Sequence, residues 1–301
     1  MIARRLGFLY PGYKDADFDS WRRAFVSALK ERSWIEGGNL LIEWRFAEYD
    51  RTKYDELANE LVSAQVDALA TAGTPLTHIL SRATSSIPIL TGVGDPVGSG
   101  FAISLENPGH NITGLSWALR EKARVQVGLI LEMAPAVTTL MVLRSERYGD
   151  IAELNACLEG VASEYGLDFA VRTAESFDEI ELALDELAGP ATGAVVIYTR
   201  GAFQFDESTL AGAAIQRGVV AFGDERRAVE AGCLMSYGVR HPDQERSFAS
   251  ALDRVLRGES PAQIAFELPT KSEFIVNRST ATALGLTLPA ELLRRAHAVI
   301  E

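Results

Sequence analysis

Short apolar runs alternate with amphipathic segments along most of the chain. Leu6–Tyr10 has the length and apolar character of a strand, and the next segment, Phe18–Lys30, repeats apolar side chains at helical spacing. The same pattern predicts strands at Leu40–Phe46, Val66–Thr71, Ile87–Val93, Thr138–Arg144, Asp168–Arg172, Ala194–Thr199, Val219–Phe222 and Cys233–Tyr237. It predicts helices at Tyr54–Ser63, Pro75–Thr84, Glu121–Met133, Ile151–Tyr165, Phe177–Leu187, Glu207–Arg217, Arg226–Glu230 and Asp243–Arg257. This alternation predicts an α/β fold with largely parallel sheets and helices on both faces.

The strands are too many for one comfortable sheet, and the rhythm restarts after a link at Asn111–Trp117 that contains Gly and Thr. We therefore predict two α/β lobes with more than one chain crossing between them. The C-terminal tail follows another pattern. Glu267–Asn277 reads as extended, and Thr280–Leu284 and Pro289–Ile300 read as helical.

Composition narrows the class of protein. The 301 residues are 47% hydrophobic and 23% charged, which is ordinary for a soluble globular chain. The net charge of −12 argues against a nucleic-acid surface, which is usually basic. Met1–Arg5 leads directly into the first apolar run, so we expect no secretory leader in this chain.

Ligands of open parallel sheets bind beyond the carboxyl ends of the strands. The sharpest such loop is Gly73–Thr74–Pro75, because Thr74 suits a helix N-cap and Pro75 suits the first helical turn. The N–H groups of Thr74, Leu76 and Thr77 would then form a seat for a carboxylate or phosphate. A plain helix cap explains the same pattern.

Other strand-end residues fit a ligand site or a simpler role. Asp95 and Asp224 each follow a strand and suit an amine or hydroxyl partner, or serve only as turn residues. Arg200 suits an anion, or is a solvated loop charge. Aromatic side chains near strand ends suit a flat or apolar ligand body, and each suits core packing equally: Tyr10, Tyr13, Tyr198, Phe203 and Tyr237.

Catalytic and cofactor motifs are weak. The histidines at 78, 110, 241 and 297 lack metal-ligand spacing, and the chain has no P-loop and no Gly-x-Ser-x-Gly elbow. Cys157 and Cys233 fall in a helical and a strand pattern, as inert core thiols do. We expect no metal, no cofactor and no enzymatic activity.

Several stretches, taken in order, resemble one family. They are Leu6–Gly12, Ala70–Pro75, Ile87–Ile89, Gly94–Gly100, Ser104–Leu105, Asn107–Gly114, Gly232–Gly238, Leu268–Lys271 and Ala281–Pro289. Together they resemble the ABC-transporter substrate-binding proteins whose members include tryptophan- and phenylalanine-binding proteins. The likeness spans nearly the whole chain.

The resemblance implies a type I periplasmic-binding fold, with two Rossmann-like lobes joined by a multi-strand hinge and closing on a small-molecule ligand. We expect residues 1–117 with about 239–262 to form the N-terminal lobe. Residues 118–238 with about 263–301 would form the C-terminal lobe and hinge. The resemblance also implies a periplasmic or extracellular, membrane-anchored protein that serves an ABC permease, here as a mature form. We expect a monomer that binds no nucleic acid.

The resemblance further implies a ligand pocket. Gly73, Thr74 and Asp95 would come from the first lobe, and the second would add Arg200, Asp224 and Tyr237. Tyr13, with Phe18 or Trp21, would wall the entrance. Arg200 departs from what a neutral amino-acid side chain requires, so an acidic group on the ligand fits as well.

The expected function is capture of a small carboxylate-bearing metabolite, an amino acid or an aromatic compound like one, for an ABC importer. Two alternatives stay open. A ligand-sensing effector domain of a transcription regulator shares this fold, and a two-lobe Rossmann enzyme has a similar layout. A helix-turn-helix would indicate the first and a catalytic carboxylate pair or nucleotide motif the second.

Overall fold

The chain folds into two compact units, each built from separate stretches of sequence. The computed structural model describes residues 3–144, 152–189, 192–197, 207–223, 225–239, 241–268 and 272–301. The first unit consists of Met1–Ala118 with His241–Thr270, and the second of Leu119–Arg240 with Lys271–Glu301. The chain therefore passes from one unit to the other three times.

The last boundary lies eight residues later than the sequence predicts. Residues 263–270 belong to the first unit rather than the second. Backbone bonds hold them there, with Phe266 N–H donating to Leu105 O (2.7 Å) and Glu267 N–H to Gly114 O (2.9 Å). Ile264 and Phe266 are buried in the first unit's two cores.

Helices and strands alternate through most of the chain. In chain order they are β1 Arg4–Tyr10, α1 Ala16–Lys30, β2 Leu40–Phe46, α2 Tyr54–Ser63, β3 Ala68–Ala72, α3 Thr74–Ala83, β4 Ile89–Val93, β5 Ile112–Ser116, α4 Leu119–Met133, β6 Thr139–Arg144, α5 Ala152–Glu164, β7 Asp168–Thr173, α6 Phe177–Asp185, β8 Gly193–Ile197, α7 Glu207–Gln216, β9 Val220–Gly223, α8 Arg226–Glu230, β10 Met235–Val239, α9 His241–Leu256, β11 Ser272–Asn277, α10 Arg278–Ala283, α11 Ala290–Arg295 and β12 Ala298–Ile300.

The first unit is a five-stranded parallel sheet with helices on both faces. Its strand order is β2-β1-β3-β4-β5, and each neighbouring pair is parallel. Helices α1 and α9 bury Phe25, Leu29, Phe248 and Leu252 against one face. Helices α2 and α3 cover the other, because alternate strand residues point to opposite sides of a sheet.

The second unit is a seven-stranded sheet of order β12-β11-β10-β9-β8-β6-β7. Every neighbouring pair is parallel except β10 and β11, which are antiparallel. Along β6, Leu140 and Val142 enter one core while Met141 and Leu143 enter the other, so both faces are covered. The predicted α/β class, with two Rossmann-like sheets, is confirmed.

Strand β5 occupies the segment predicted as a link. All five of its residues are buried, and it pairs with β4 along its whole length. Gly114, in the middle, has φ 145°, and a Cβ there would collide with the Thr91 carbonyl. Glycine inside a strand commonly marks such a close approach of two backbones.

The C-terminus corrects a second prediction. The helix expected over Pro289–Ile300 ends at Arg295, and Ala298–Ile300 forms strand β12 beside β11. His297 starts this pairing, since its N–H donates to Phe274 O (2.8 Å) and its Nδ1 accepts from Phe274 N–H (3.1 Å). The apolar run at 298–300 fits either structure, and pairing with a neighbouring strand decides between them.

Within the residues that the structure describes, no helix has the length and apolar character needed to cross a bilayer.

Candidate ligand-binding site

The first sheet presents the ends of all its strands at one edge. Because its five strands are parallel, the loops after β1, β2, β3, β4 and β5 lie side by side at the carboxyl edge, where ligands of such sheets bind. Backbone hydrogen bonds connect neighbouring strand ends at this edge. Gly73 N–H donates to Gly92 O and Trp117 N–H donates to Val93 O, both at 2.8 Å.

Gly73 forms the turn from β3 into α3. Its φ of 93° and ψ of 142° suit glycine and strain other residues. The helix therefore begins at Thr74, with Gly73 as its N-cap and Pro75 second. The predicted N-cap role of Thr74 is wrong, because the sharp turn is made one residue earlier. Having no side chain, Gly73 supplies no side-chain cap to the first turn.

The first turn of α3 keeps fewer donors than the sequence predicts. Thr77 N–H is already used within the helix, donating to Gly73 O at 3.1 Å. Pro75 has no N–H. The first-turn N–H groups that have no carbonyl partner within the helix are therefore those of Thr74 and Leu76. In a trans peptide the C=O and N–H point in opposite directions. Because Gly73 C=O points into the helix, Thr74 N–H points away from it.

Two buried hydroxyls hold this turn in place. Thr77 Oγ1 donates to Gly73 O at 2.8 Å. A hydroxyl has one proton, so the 2.6 Å contact between Thr77 Oγ1 and Thr91 Oγ1 must have Thr91 as donor. Thr91 lies on β4, next to β3. The neighbouring strand therefore orients Gly73 through this chain of hydroxyls.

Asp95 follows β4 at the same edge and has a structural role in its loop. Its Oδ1 accepts from Val97 N–H (3.1 Å) and Gly98 N–H (2.8 Å), which closes the turn after Pro96. The side chain is exposed. The turn role that the sequence allowed is thus present, and a ligand-binding role for the exposed carboxylate stays a prediction.

Tyr13 lies in the loop after β1, where it is 49% exposed. Its ring packs edge-on against Tyr49, with ring centroids 5.9 Å apart and an interplanar angle of 67°. Sequence reasoning missed Tyr49, although Phe46 ends β2 three residues earlier. The rule that ligands bind beyond the carboxyl ends of parallel strands, called the strand-end rule below, points to Tyr49 once it is extended to the loop after β2.

Charged groups surround this tyrosine pair. The Lys53 ammonium lies 2.5 Å from Glu48, and this hydrogen bond, with smaller attractions to Asp50 and Tyr13, raises the pKa of Lys53. Hydrogen bonds from the Thr52 hydroxyl and N–H lower the pKa of Asp50. In the loop after β2, Lys53 is therefore paired with Glu48, and Asp50 is hydrogen-bonded to Thr52.

Phe18 and Trp21, predicted as residues at the pocket entrance, both contact other aromatic rings of the first unit. Phe18 is 1% exposed, with its ring 4.9 Å from Tyr10 and 4.8 Å from Phe46. Trp21 stacks on Phe25 with ring centroids 5.2 Å apart. The expectation for Phe18 is wrong, because α1 turns its ring into an aromatic cluster against β1 and β2. Trp21 is half-buried, and an entrance role for it stays a prediction.

Trp117 is a second residue that sequence reasoning missed. It follows β5 at the carboxyl edge and is half-buried. Its indole lies 3.0 Å from where a Cβ on Gly92 would stand, so Gly92 leaves room for the ring. The strand-end rule would have found Trp117 if β5 had been recognised as a strand.

Of the predicted site residues in the second unit, the structure describes Tyr237. Tyr237 lies on β10, half-buried against that unit's core, and its carbonyl accepts from Gln126 Nε2 at 2.8 Å. Arg200 and Asp224 fall outside the residues that the structure describes. Of the seven predicted site residues, the structure brings Tyr13, Gly73, Thr74 and Asp95 to one edge of one sheet.

The two sheets and their order of elements define the type I periplasmic-binding class. The chain belongs to the family of ABC transporter substrate binding proteins, which it matches over residues 15–300. Members of this family are extracytoplasmic, bind small-molecule ligands and work with membrane permeases.

Individual relatives agree with this assignment. The chain is 23% identical over 274 residues to a tyrosine-binding protein of Clostridioides difficile (strain R20291), covering 89% of this chain and 77% of that protein. The crystal structure of a conserved domain protein from Vibrio cholerae is similar at a TM-score of 0.80, with 25% identity and 99% of each chain covered. An ABC domain in complex with L-Trp from Streptococcus pneumoniae is similar at a TM-score of 0.78, with 22% identity, covering 99% of this chain and 100% of that one.

Proposed function

We propose that this protein is the solute-binding component of an ABC importer and captures an amino acid or a similar aromatic carboxylate between two closing lobes. The observation that supports this proposal most directly is the position of the N-terminus of α3, which follows Gly73 at the carboxyl edge of the first sheet. It lies among the loops that carry Asp95 and Tyr13. Binding shifts the lobes from open to closed, and no bond is made or broken.

A carboxylate suits this helix end for two reasons. A helix N-terminus carries about half a positive charge, and its first N–H groups act as donors. The protein as a whole has a net charge of −12, so its long-range field repels anions. The ligand carboxylate therefore needs local donors, which the N–H groups in the first turn of α3 supply.

The neighbouring loops suit the rest of an amino acid. The exposed carboxylate of Asp95 pairs with the ammonium group, and Tyr13 and Tyr49 face the side chain. The names of two relatives, a tyrosine-binding protein and a complex with L-Trp, support an aromatic amino acid as the ligand. In the second unit, Arg200, Asp224 and Tyr237 complete the site in this proposal. The protein acts as a membrane-anchored monomer beside its permease.

The enzyme alternative is less well supported. Burial raises the pKa of the Cys233 thiol to about 12, with a smaller contribution from Glu207, so this cysteine supplies no thiolate nucleophile near neutral pH. Binding without turnover remains the better proposal. Mass spectrometry of candidate ligands after long incubation tests it, since a product would favour an enzyme.

Calorimetric titration tests the proposal directly. We expect L-tryptophan, L-tyrosine or L-phenylalanine to bind at micromolar or lower concentration, and D-ribose not to bind. Failure of these three, of the other amino acids and of aromatic carboxylates would overturn the proposal.

The variant Asp95→Asn tests the ammonium partner. Its amide oxygen still accepts the two N–H bonds that close the turn, but the negative charge is lost. We expect about tenfold weaker binding, which corresponds to about 1.4 kcal/mol, with an unchanged Tm. Equal affinity in Asp95→Asn would remove Asp95 from the site.

A further inference from the structure

The loop after β2 has an uncommon backbone. Glu48 and Tyr49, neither of them glycine, lie consecutively in the left-handed region with φ of 53° and 57°. Residues other than Gly, Asn and Asp rarely adopt this conformation, because the Cβ approaches the following carbonyl. Such outliers persist where surrounding contacts impose them, and they cluster at ligand clamps and other functional sites.

Contacts on both sides impose this conformation. Ala47 N–H donates to Tyr10 O (2.9 Å), Glu48 N–H to Gly12 O (3.2 Å) and Tyr49 N–H to Pro11 O (2.7 Å). The loop after β2 is thereby fastened along the loop after β1. Lys53 pairs with Glu48 on its outer side.

The result of this strained backbone is the position of one ring. The Tyr49 phenol oxygen lies 2.9 Å from where a Cβ on Gly12 would stand, so the ring covers Gly12 and meets Tyr13. Strands β2 and β3 flank β1, and the two interstrand spacings between them amount to about 10 Å. The tyrosine pair therefore lies at the same edge as the turn at Gly73.

We infer that Tyr49 is a specificity-determining residue, which together with Tyr13 receives the ring of an aromatic amino acid. This inference rests on the proposed function and narrows its ligand to aromatic side chains. Aromatic rings attract one another through edge-on and offset contacts that aliphatic side chains lack. Tyr13 remains half-exposed although it contacts Tyr49, so the pair still offers aromatic surface at the edge.

The variant Tyr49→Asn separates a binding role from a structural one. Asparagine tolerates the left-handed conformation, so the loop keeps its backbone while the ring is lost. We expect affinity for L-tryptophan and L-tyrosine to fall at least tenfold, affinity for L-leucine to change less than twofold, and Tm not to fall. Tyr49→Phe, which keeps the ring, should bind L-tryptophan like the wild type.

A control is Tyr165→Asn, which removes a tyrosine that is 43% exposed from the second unit. It should change neither affinity. If Tyr49→Asn binds L-tryptophan as well as the wild type, or if it weakens L-leucine equally, the inference is overturned while the proposed function stands. If the wild type binds none of the aromatic amino acids, the inference fails, and the proposed function fails only if no other amino acid or aromatic carboxylate binds.

Discussion

At the scale of single residues, buried threonines connect the first unit's strands to its turns. Thr71 Oγ1 donates to Leu9 O (2.8 Å), and Thr113 Oγ1 donates to Ile264 O (2.6 Å). The Thr91 and Thr77 hydroxyls continue the pattern to Gly73 O. All four side chains are buried, so each hydroxyl needs its partner to offset the cost of desolvation.

Thr77→Val should affect both stability and binding. It keeps the shape of the side chain but leaves the Thr91 hydroxyl without its acceptor and Gly73 O with one donor fewer. We expect a loss of about 1–3 kcal/mol in unfolding free energy, measured in urea. We also expect at least threefold weaker binding of L-tryptophan, because the Gly73 turn is less firmly oriented.

Thr113→Val is the matched control for this prediction. It removes a buried hydroxyl-to-carbonyl bond of the same kind, on the strand at the sheet edge away from β3. Its stability loss should be similar and its affinity unchanged. Equal affinity changes in the two variants would contradict a special role for Thr77, and Thr77→Ser should restore both properties.

At the scale of elements, β5 depends on one glycine. Gly114→Ala places a methyl group against the Thr91 carbonyl at a φ of 145°. Both the collision and the strained backbone oppose the change, so we expect a loss of about 3 kcal/mol or more in unfolding free energy. Urea denaturation measures it.

Gly212→Ala serves as its control. This glycine lies in α7, and nothing lies within 4 Å of an added Cβ. Alanine favours a helix over glycine by about 1 kcal/mol, so this variant should be neutral or more stable. A Gly114→Ala protein as stable as the wild type would mean that β5 does not pack as described.

Elements with clear periodicity could be predicted from the sequence, and those set by distant contacts could not. Strand β2 and helices α2 and α8 begin and end where their patterns predict. Strand β5 was missed because Gly114 reads as a loop residue until Thr91 is known to lie against it. Strand β12 was missed because β11, its pairing partner, is distant along the chain.

The same limit applies to the candidate site. The strand-end rule located Gly73 and Asp95, since strands β3 and β4 were recognised. The sequence pattern placed the N-cap at Thr74 instead of Gly73, because the positive φ of Gly73 cannot be read from a sequence. Tyr49 reaches the edge only through a left-handed backbone imposed by another loop, and no local pattern indicates that.

At the scale of the whole molecule, neither unit is one continuous stretch of chain. In the first, Phe248, Leu252 and Ile264 complete the core that begins with Leu6 and Phe8. Trp34 Nε1 also donates to Asp253 at 2.8 Å, so α9 binds the rest of the first unit by both apolar and polar contacts. The sheet of residues 1–118 thus needs residues 241–270 to cover one of its faces.

The fragment 1–118 should therefore not fold alone. Its exposed apolar face should bind a hydrophobic dye, and its amide protons should exchange within seconds. The fragment 1–118 joined by a flexible linker to 241–270 should fold and should unfold cooperatively on heating. A cooperative thermal transition in 1–118 alone would contradict the described core.

Because the first unit is built from two separate stretches of chain, its parts are synthesised at different times. At about 5–20 residues per second, roughly 7–30 s separate the emergence of Ala118 from the ribosome and that of Ile264. Until α9 has been made, residues 1–118 lack the helix that covers one face of their sheet. Members of an extracytoplasmic family have to cross a membrane, and late completion of the first unit is compatible with crossing before folding is finished.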